Sequence, residues 1–276
     1  MVNILTIAHL TLFEARRRRI VVAAGLCGLA FLAVYGTGMF FADRSLSGEP
    51  LLRRQATLVI FSILGMFAVN FLSVLFAILL PIDALSGEIE SGVIQTIAAK
   101  PVGRGEVVLG KWLGHGIIVV SYLLLLSAGV VLVLRVMTGY TVTNLHLVLP
   151  LLMLETALLL SVSIAGGTRL STVTNGVVAV GFYGMAFIGG WVEQFGGIAG
   201  VDSVRTIGIA VSLVSPADTL WRLALFELQP PILRTVSNLG PFSNASVPSG
   251  LMVWWAGGFT LLTIIAAVRS FAKRPL

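Results

Sequence analysis

The chain has 276 residues, of which 57% are apolar and only 11% are charged, and its mean hydropathy is +1.00. Soluble domains carry about a quarter charged residues, so this composition excludes an ordinary soluble domain. The formal charge of +6 comes from cations near the ends of apolar runs. No folded basic face is left to bind a nucleic acid, so a nucleic-acid partner is not expected.

Six apolar stretches are long enough, or nearly so, to cross a bilayer core of about 30 Å, which takes about 20 residues per helix. Backbone polar groups in lipid must be satisfied within the segment, so these stretches are expected to be helices. The predicted spans are residues 20–41, 56–82, 117–137, 145–164, 173–191 and 251–268. The expected fold class is an all-α polytopic membrane protein, with residues 1–276 forming a single transmembrane domain.

Residues 1–19 are predicted to form an interfacial helix before the first span. Apolar side chains recur at helical spacing through Ile4, Ala8, Leu12 and Ala15, and the segment ends in the arginine run 16–19. An amphipathic helix with this pattern lies in the plane of the membrane surface.

The distribution of basic residues predicts that both termini lie in the cytoplasm. This orientation places the arginine run, Arg169, the cations of residues 83–116 and the last three cations on that side, in agreement with the positive-inside tendency. Arg44, Arg53 and Arg54 lie in the first outer loop and oppose the trend.

Residues 83–116, called here the coupling segment, form a charged and glycine-containing stretch between the second and third spans. Such a concentration of charge in a hydrophobic chain indicates a segment that faces water and meets a partner. Its pattern favours two short helices with a break at Lys100-Pro101, which makes a rigid element rather than a flexible tether.

The order of residues in the coupling segment resembles the corresponding cytoplasmic segment of ABC-2 type transporter permeases. The similar positions are Gly87-Glu88, Gly92, Lys100-Pro101, Arg104 and Gly110-Lys111. The resemblance implies docking on a separate ABC ATPase subunit. ATP and Mg²⁺ are then expected on that partner, with no cofactor in this chain.

The resemblance also implies residue roles. The candidate ATPase-coupling residues are Asp83, Glu88, Glu90, Gly92, Lys100, Pro101, Arg104, Lys111 and Arg169. Glu88, Glu90 and Arg104 have two compatible interpretations, contact with the ATPase or internal bracing. Asp83 could cap the segment or pair with Lys100 or Arg104. The loop of Arg169 faces the same side and ends in candidate helix caps, Ser171 and Asn175 among them.

The assembly implied by the resemblance is a homodimer in the inner (cytoplasmic) membrane that acts as an exporter. It leaves room for a periplasmic or extracellular accessory protein. The overall size and the long outer loop are similar to the permeases that help to mature nitrous oxide reductase, whereas drug, lipid, peptide or ion exporters fit almost as well.

The chain is not expected to be an enzyme. Residues Gly105 to Trp112 nearly match the phosphate-loop pattern G-x-x-x-x-G-K-[ST], but Trp112 replaces the residue that would hold Mg²⁺, and no buried strand precedes it. We expect instead a helix that enters the membrane with Lys111 at the level of the lipid headgroups. The three histidines lack metal-ligand spacing, so neither a catalytic residue nor a metal site is predicted.

The candidate intramembrane polar residues are Asn70 and Glu155. A charged Glu155 would cost at least about 2.5–3.5 kcal/mol in the membrane, so it should face the bundle interior or be neutral. Two interpretations stay open: a substrate or proton site, or a protonated side chain bonded to a neighbouring helix. Asn70 is expected to join helices through its amide. Glu155 also permits an alternative function, an ion- or proton-coupled carrier that works without an ATPase.

Residues 192–250 are predicted to form an external loop that contains a re-entrant or surface-lying helical pair. Thr206–Val214 is apolar but too short to span, and Ser215-Pro216 is typical of a helix start, with Ser215 as the cap and Asp218 in the first turn. The pair is therefore expected just before the last span.

Overall fold

The computed structural model describes residues 2–90, 103–231 and 246–274. Within these ranges the regular structure is entirely helical, and six helices are long and apolar enough to cross a membrane. The predicted all-α polytopic membrane fold is confirmed.

Ten helices are present in the described part of the chain. They are α1 (Val2–Arg16), α2 (Arg19–Leu46), α3 (Leu51–Leu79), α4 (Ser86–Glu90), α5 (Arg104–Thr138), α6 (Leu145–Gly167), α7 (Thr172–Ala199), α8 (Asp202–Val214), α9 (Ala217–Leu228) and α10 (Leu251–Ala272). The candidate spans are α2, α3, α5, α6, α7 and α10. They contain most of each predicted span, and most of them continue beyond it.

The first two spans, α2 and α3, show why the helices extend beyond the predicted spans. Arg44 lies over the Phe40 ring at 4.2 Å from its centroid, and Arg54 donates to Asp43 at 3.1 Å. Long cationic side chains can cover apolar surface while their charged ends reach water, so a helix can extend past the hydrocarbon. The connection between α2 and α3 therefore shortens to residues 47–50.

The centre of the bundle is formed by α3 and α6. In the most apolar 18-residue stretch of α3 and of α6, more than half of the residues are buried. In the corresponding stretch of α2 only 6% are buried, so α2 is peripheral. Met66 of α3 and Leu152 of α6 pack with Leu123 of α5 and with Trp221 of α9 in one buried cluster. Side-chain packing of this kind holds membrane helices together.

The first helix packs on α5 rather than only on the membrane surface. A Cβ on Gly110 would lie 2.6 Å from the Ile7 Cβ, and one on Gly114 would lie 2.9 Å from the Ala8 carbonyl oxygen. The two glycines thus let the backbones approach closely. A helix is present at the predicted position, with Ala8 and Ala15 buried, and one side of it packs on another helix of the same chain. Its placement in the membrane surface stays a prediction.

A sharply bent pair precedes the last span. α8 and α9 meet at 110° across residues 215 and 216, as in a re-entrant loop or a broken span. The predicted start of α9 is wrong in one detail, because the cap is Pro216 and the Ser215 hydroxyl instead donates to the Phe182 carbonyl at 3.1 Å. This bond ties the bend to α7.

Candidate functional site

One end of the bundle gathers most of the predicted coupling residues. The end of α1, the turn after α3, the start of α5, the turn between α6 and α7, and the end of α10 all meet there. We call this region the basic end. Arg18, Arg104, Lys111, Arg169 and Arg274 all make polar contacts in it.

Lys111 forms a buried ion pair at the base of the coupling segment. Its Nζ lies 2.5 Å from Glu88 Oε1 and donates to the Ala84 carbonyl at 2.6 Å, and its side chain is only 6% exposed. The Lys111 ammonium turns inward beneath the turn that follows α3 and does not extend outward from the bundle, while its expected depth at the level of the lipid headgroups stays a prediction. The pair therefore joins α5 to α4 and to the end of α3.

Asp83 pairs with an arginine that precedes the first span. Arg18 donates to Asp83 and, at 2.6 Å, to Glu14. Partial burial lowers the pKa of the Arg18 guanidinium, but hydrogen bonds and charge from the two carboxylates outweigh it, so the pKa lies above its usual value. The predicted pairing of Asp83 with Arg104 is wrong, since Arg104 has other partners.

Arg104 binds the end of the last helix. Its Nη1 donates to the carbonyls of Ala272 at 3.0 Å and Arg274 at 2.7 Å. The last carbonyls of a helix lack partners within the helix, and a guanidinium can satisfy them. Internal bracing, one of the two interpretations of Arg104, is therefore present in the structure.

The turn between α6 and α7 also binds the end of α10. Thr168 Oγ1 and Arg169 Nε both contact Ser270 Oγ at 2.9 Å, and Arg274 donates to the Thr168 carbonyl. Together with Arg104, these residues form what we call the C-terminal clasp (Arg104, Thr168, Arg169, Ser270 and Arg274). Through the end of α10, the clasp connects the start of α5 with the turn between α6 and α7.

Asn175 has a role that the sequence did not reveal. Its amide donates to the Ile82 carbonyl at 3.1 Å and to the Ser163 carbonyl at 2.9 Å, while Ser171 is the cap of α7. A Cβ on Gly166 would lie 2.1 Å from the Asn175 side-chain oxygen. One signal for this contact was available in the sequence. It is the Gly166-Gly167 pair, which comes shortly before a polar residue at the start of α7.

Part of the predicted site lies beyond these contacts. Glu90 belongs to α4, but its side chain is not described, and Gly92, Lys100 and Pro101 lie outside the described residues. The middle of the coupling segment, including its predicted break, therefore stays a prediction.

The two polar residues of the spans contact each other. Asn70 of α3 donates to Glu155 Oε1 of α6 at 3.4 Å, and both side chains are buried. This is the interior placement expected of Glu155 and the interhelical contact expected of Asn70.

A second buried polar group lies nearer the other end of the bundle. Arg222 donates to Glu193 Oε2 at 2.7 Å and lies 3.0 Å from Asp218 Oδ2, while Ser246 donates to Glu193 at 2.6 Å. Sequence reasoning missed this group. The spacing of four between Asp218 and Arg222 was a signal, since it places both on one helix face, but nothing in the sequence linked them to Glu193.

The chain is similar in sequence to known proteins. The curated relatives include two proteins named "Probable ABC transporter permease protein NosY". The chain is 33% identical to the Stutzerimonas stutzeri protein over 119 residues, which is 43% of this chain and 40% of that protein. It is 49% identical to the Pseudomonas aeruginosa protein over 49 residues, which is 18% of each. These matches span less than half of the length of either relative.

A match over most of the chain comes from a family profile. The profile described as "ABC-2 family transporter protein" covers residues 5–219. This range includes α1, the coupling segment, the turn with Arg169 and the first residues of α9. The chain belongs to the ABC-2 transporter family.

Proposed function

We propose that this ABC-2 permease is driven by a separate ATPase that docks on the basic end, and that it works as an exporter. Family membership supports a membrane subunit of an ABC transporter. The described geometry supports the place of docking, because the elements of the coupling segment and the turn with Arg169 meet there.

The observation that carries the proposal is the link between the coupling segment and a single long helix. α5 runs without interruption from Arg104 to Thr138, which is 35 residues, or about 50 Å at 1.5 Å per residue. This length exceeds a hydrocarbon core of about 30 Å. Lys111 binds Glu88 and the Ala84 carbonyl near its start, so a push on the coupling segment moves α5 as a rigid body.

Two further links distribute such a push to other spans. The C-terminal clasp binds the start of α5 to the end of α10. Asn175 binds the start of α7 to the turn that follows α3, and the contact of Thr172 Oγ1 with Ser86 Oγ at 2.9 Å binds it to α4. The basic end therefore joins four candidate spans, and the proposed movement is a rearrangement of spans rather than of one loop.

The proposal assigns ATP hydrolysis to the partner. The residues that nearly match a phosphate loop lie within α5, and the Lys111 ammonium, which would contact phosphate, is already bound to Glu88. A phosphate loop requires backbone amides that point into an open turn, whereas these amides lie in a helix.

The proposed assembly contains two copies of the chain in the inner membrane, with both termini in the cytoplasm. α2 supports this arrangement, because Val22, Leu26 and Leu29 are exposed along one side of it. Either lipid or a second copy can cover such a side in a membrane. Oxidative cross-linking through Cys27, which is also exposed on α2, yields a covalent dimer if the copies meet there.

Affinity purification of the tagged chain from the membranes of its own cells, with identification of any ATPase that copurifies, tests the docking. We expect the ATPase to bind the wild-type chain, and its hydrolysis rate to rise in the complex. Glu88→Gln should lower this stimulation, while Glu49→Gln, a matched change in the loop between α2 and α3, should leave it unaltered. Equal stimulation by both variants would remove Glu88 from the coupling role.

Labelling from one side of the membrane tests the orientation. Ser47→Cys and Ser171→Cys place exposed thiols at opposite ends of the bundle, in a background with Cys27→Ala. In intact cells an impermeant maleimide should label residue 47 at once and residue 171 only after permeabilisation. The reverse pattern would place the basic end outside the cell and contradict the proposal.

A second candidate function rests on Glu155. Its burial against Asn70 also suits a carrier that is coupled to an ion or a proton and needs no ATPase. Transport by the purified chain alone, driven by a pH gradient, would favour this candidate. Strict dependence on the ATPase and on nucleotide favours the ATP-driven permease.

A further inference from the structure

Three carboxyl groups and one guanidinium lie together between the middle of the bundle and the end opposite the basic end. Glu155 comes from α6, Glu193 from α7, and Asp218 and Arg222 from α9. We call them the interior carboxyl cluster. Leu158 and Leu159, which follow Glu155 on α6, and Ala217, which precedes Asp218, pack in one buried cluster, and Arg222 bridges Asp218 and Glu193. Every side chain in the cluster is at least nine-tenths buried.

The charges of the interior carboxyl cluster do not balance. With all four groups ionised, three negative charges face one positive charge, and an uncompensated ionised carboxylate in a membrane interior is unfavourable. Among the described residues, the other side chains that face the carboxyls are neutral: Asn70 of α3, Tyr183 of α7 and the hydroxyls of Ser212 and Ser246. Within this described part of the chain, the deficit has to be met inside the cluster.

The hydrogen bonds show which carboxyl lacks donors to compensate a negative charge. Glu193 accepts from Arg222, Ser212 and Ser246, so its charge is well compensated. In the part of the chain that the structure describes, Glu155 accepts a single long bond, from Asn70. Among the described residues, Glu155 Oε2 and Asn70 Oδ1 are buried oxygens without a hydrogen-bond donor. A carboxyl that carries a proton becomes a donor and relieves this shortage.

The packing around Asp218 indicates that its position is specified. A Cβ on Gly190 would lie 1.6 Å from Asp218 Oδ2, so only glycine leaves room for the carboxyl against the α7 backbone. The guanidinium of Arg222 holds the same oxygen from the other side at 3.0 Å. Asp218 is thereby fixed beside Glu155 at the start of α9.

We propose that Glu155 and Asp218 together form a binding site for one proton inside the membrane. Buried carboxyls that outnumber the cations around them favour the bound proton, and carboxyls that interact titrate together rather than one by one. Asp218 belongs to the bent pair of α8 and α9, whereas Glu155 belongs to a central span. A displacement of α9 relative to α6 therefore separates the two carboxyls and opens the site. This inference does not depend on the docking of an ATPase.

Infrared spectroscopy of the purified full chain in lipid nanodiscs tests the site. A protonated carboxyl has a C=O stretch that is resolved from that of carboxylates and shifts in D₂O. We expect this band in the wild-type protein at neutral pH, and its loss as the pH is raised. Glu155→Gln should remove the band, Asp218→Asn should shift it, and Glu49→Gln, at an exterior ion pair with Arg53, should leave it unaltered.

Three results would overturn the proposal. The first is the absence of the band in the wild-type protein at neutral pH, a measurement that depends on no variant being folded. The second is a band that persists unaltered in both Glu155→Gln and Asp218→Asn. The third is loss of the band when sodium or potassium chloride is added at constant pH, which would identify a metal cation as the occupant. None of these needs the ATPase, so they are separate from a failure of the proposed function.

Discussion

The basic end and the interior carboxyl cluster treat buried charge in opposite ways. At the basic end, Lys111 has its own carboxylate in Glu88, and Arg18 has two in Glu14 and Asp83. In the interior carboxyl cluster, Arg222 pairs with Glu193 and Asp218, and Glu155 forms no ion pair among the described residues. Matched charges fix the relative position of helices, since separating them leaves ions unpaired in a poorly solvated place. Where carboxyls outnumber cations, one carboxyl is left that can gain or lose a proton.

Because of this difference, the two regions, which lie at different depths in the bundle, are suited to different roles. The basic end is suited to transmitting a movement, because its contacts bind several helices into one body. The interior carboxyl cluster is suited to responding to a movement, because α9 brings Asp218 and Arg222 to carboxyls on other helices. The predictions below separate a structural contact from a site that responds to protons.

The largest effect is expected at the matched pair. Lys111→Met leaves Glu88 without its cation and should lower the free energy of unfolding by about 3–5 kcal/mol. Adding Glu88→Gln to Lys111→Met should recover much of this loss, because no buried charge is then unpaired. Thermal unfolding in detergent measures both effects. Lys273→Met is the control, since Lys273 is exposed at the same end, and equal stability of the two single variants would contradict the assignment.

The next effect is expected in the interior carboxyl cluster. Gly190→Ala forces the Asp218 carboxyl away from α7, and overpacking of this kind costs about 1–3 kcal/mol. The matched control is Gly181→Ala on the same helix, where a Cβ meets open space. The infrared band of the protonated carboxyl should also shift in Gly190→Ala alone. Identical spectra and stabilities for the two variants would show that Asp218 is not fixed against α7.

A smaller effect is expected at the C-terminal clasp. Arg104→Gln removes the bonds to the Ala272 and Arg274 carbonyls and should cost about 1 kcal/mol, the net value of an ordinary hydrogen bond. Amide hydrogen exchange near the end of α10 should become faster, with little change in α3. Lys273→Gln serves as the control, and unchanged exchange in Arg104→Gln would exclude a structural role for the clasp.

The smallest effect discriminates between the two states of Glu155. Asn70→Leu removes its hydrogen-bond donor, and if Glu155 carries a proton the loss should be only about 0.6 kcal/mol, the average for such bonds between membrane helices. An ionised Glu155 would lose its donor at far greater cost. Thermal unfolding of Asn70→Leu, with Ser73→Ala as a neighbouring control, measures the difference. A loss as large as that of Lys111→Met would contradict a protonated Glu155.

The sequence predicted the spans well because their length and composition are set by the bilayer. It predicted their ends less well, since the end of a helix depends on local partners such as Asp43 for Arg54. The family resemblance placed Glu88 and Lys111 in one functional segment, but their contact joins positions on different helices. Hydropathy alone placed Lys111 at the membrane surface because it carries no information about such a partner.

The interior carboxyl cluster was only partly predictable for the same reason. Glu155 stood out as a carboxyl within an apolar run, and Asp218 with Arg222 lay at helical spacing. Their meeting depends on the 110° bend between α8 and α9 and on the space that Gly190 leaves. The sequence does not show what packs against Gly190, because that is decided by the fold.

The rate of ATP hydrolysis in three preparations tests the central claim most directly: the chain alone, the ATPase alone, and the two together in nanodiscs. The account predicts no hydrolysis by the chain alone and a higher rate in the complex than in the ATPase alone. It also predicts that Lys111→Met loses most of this increase, whereas Lys273→Met keeps it. Hydrolysis by the isolated chain, or an increase that survives in Lys111→Met, would contradict it.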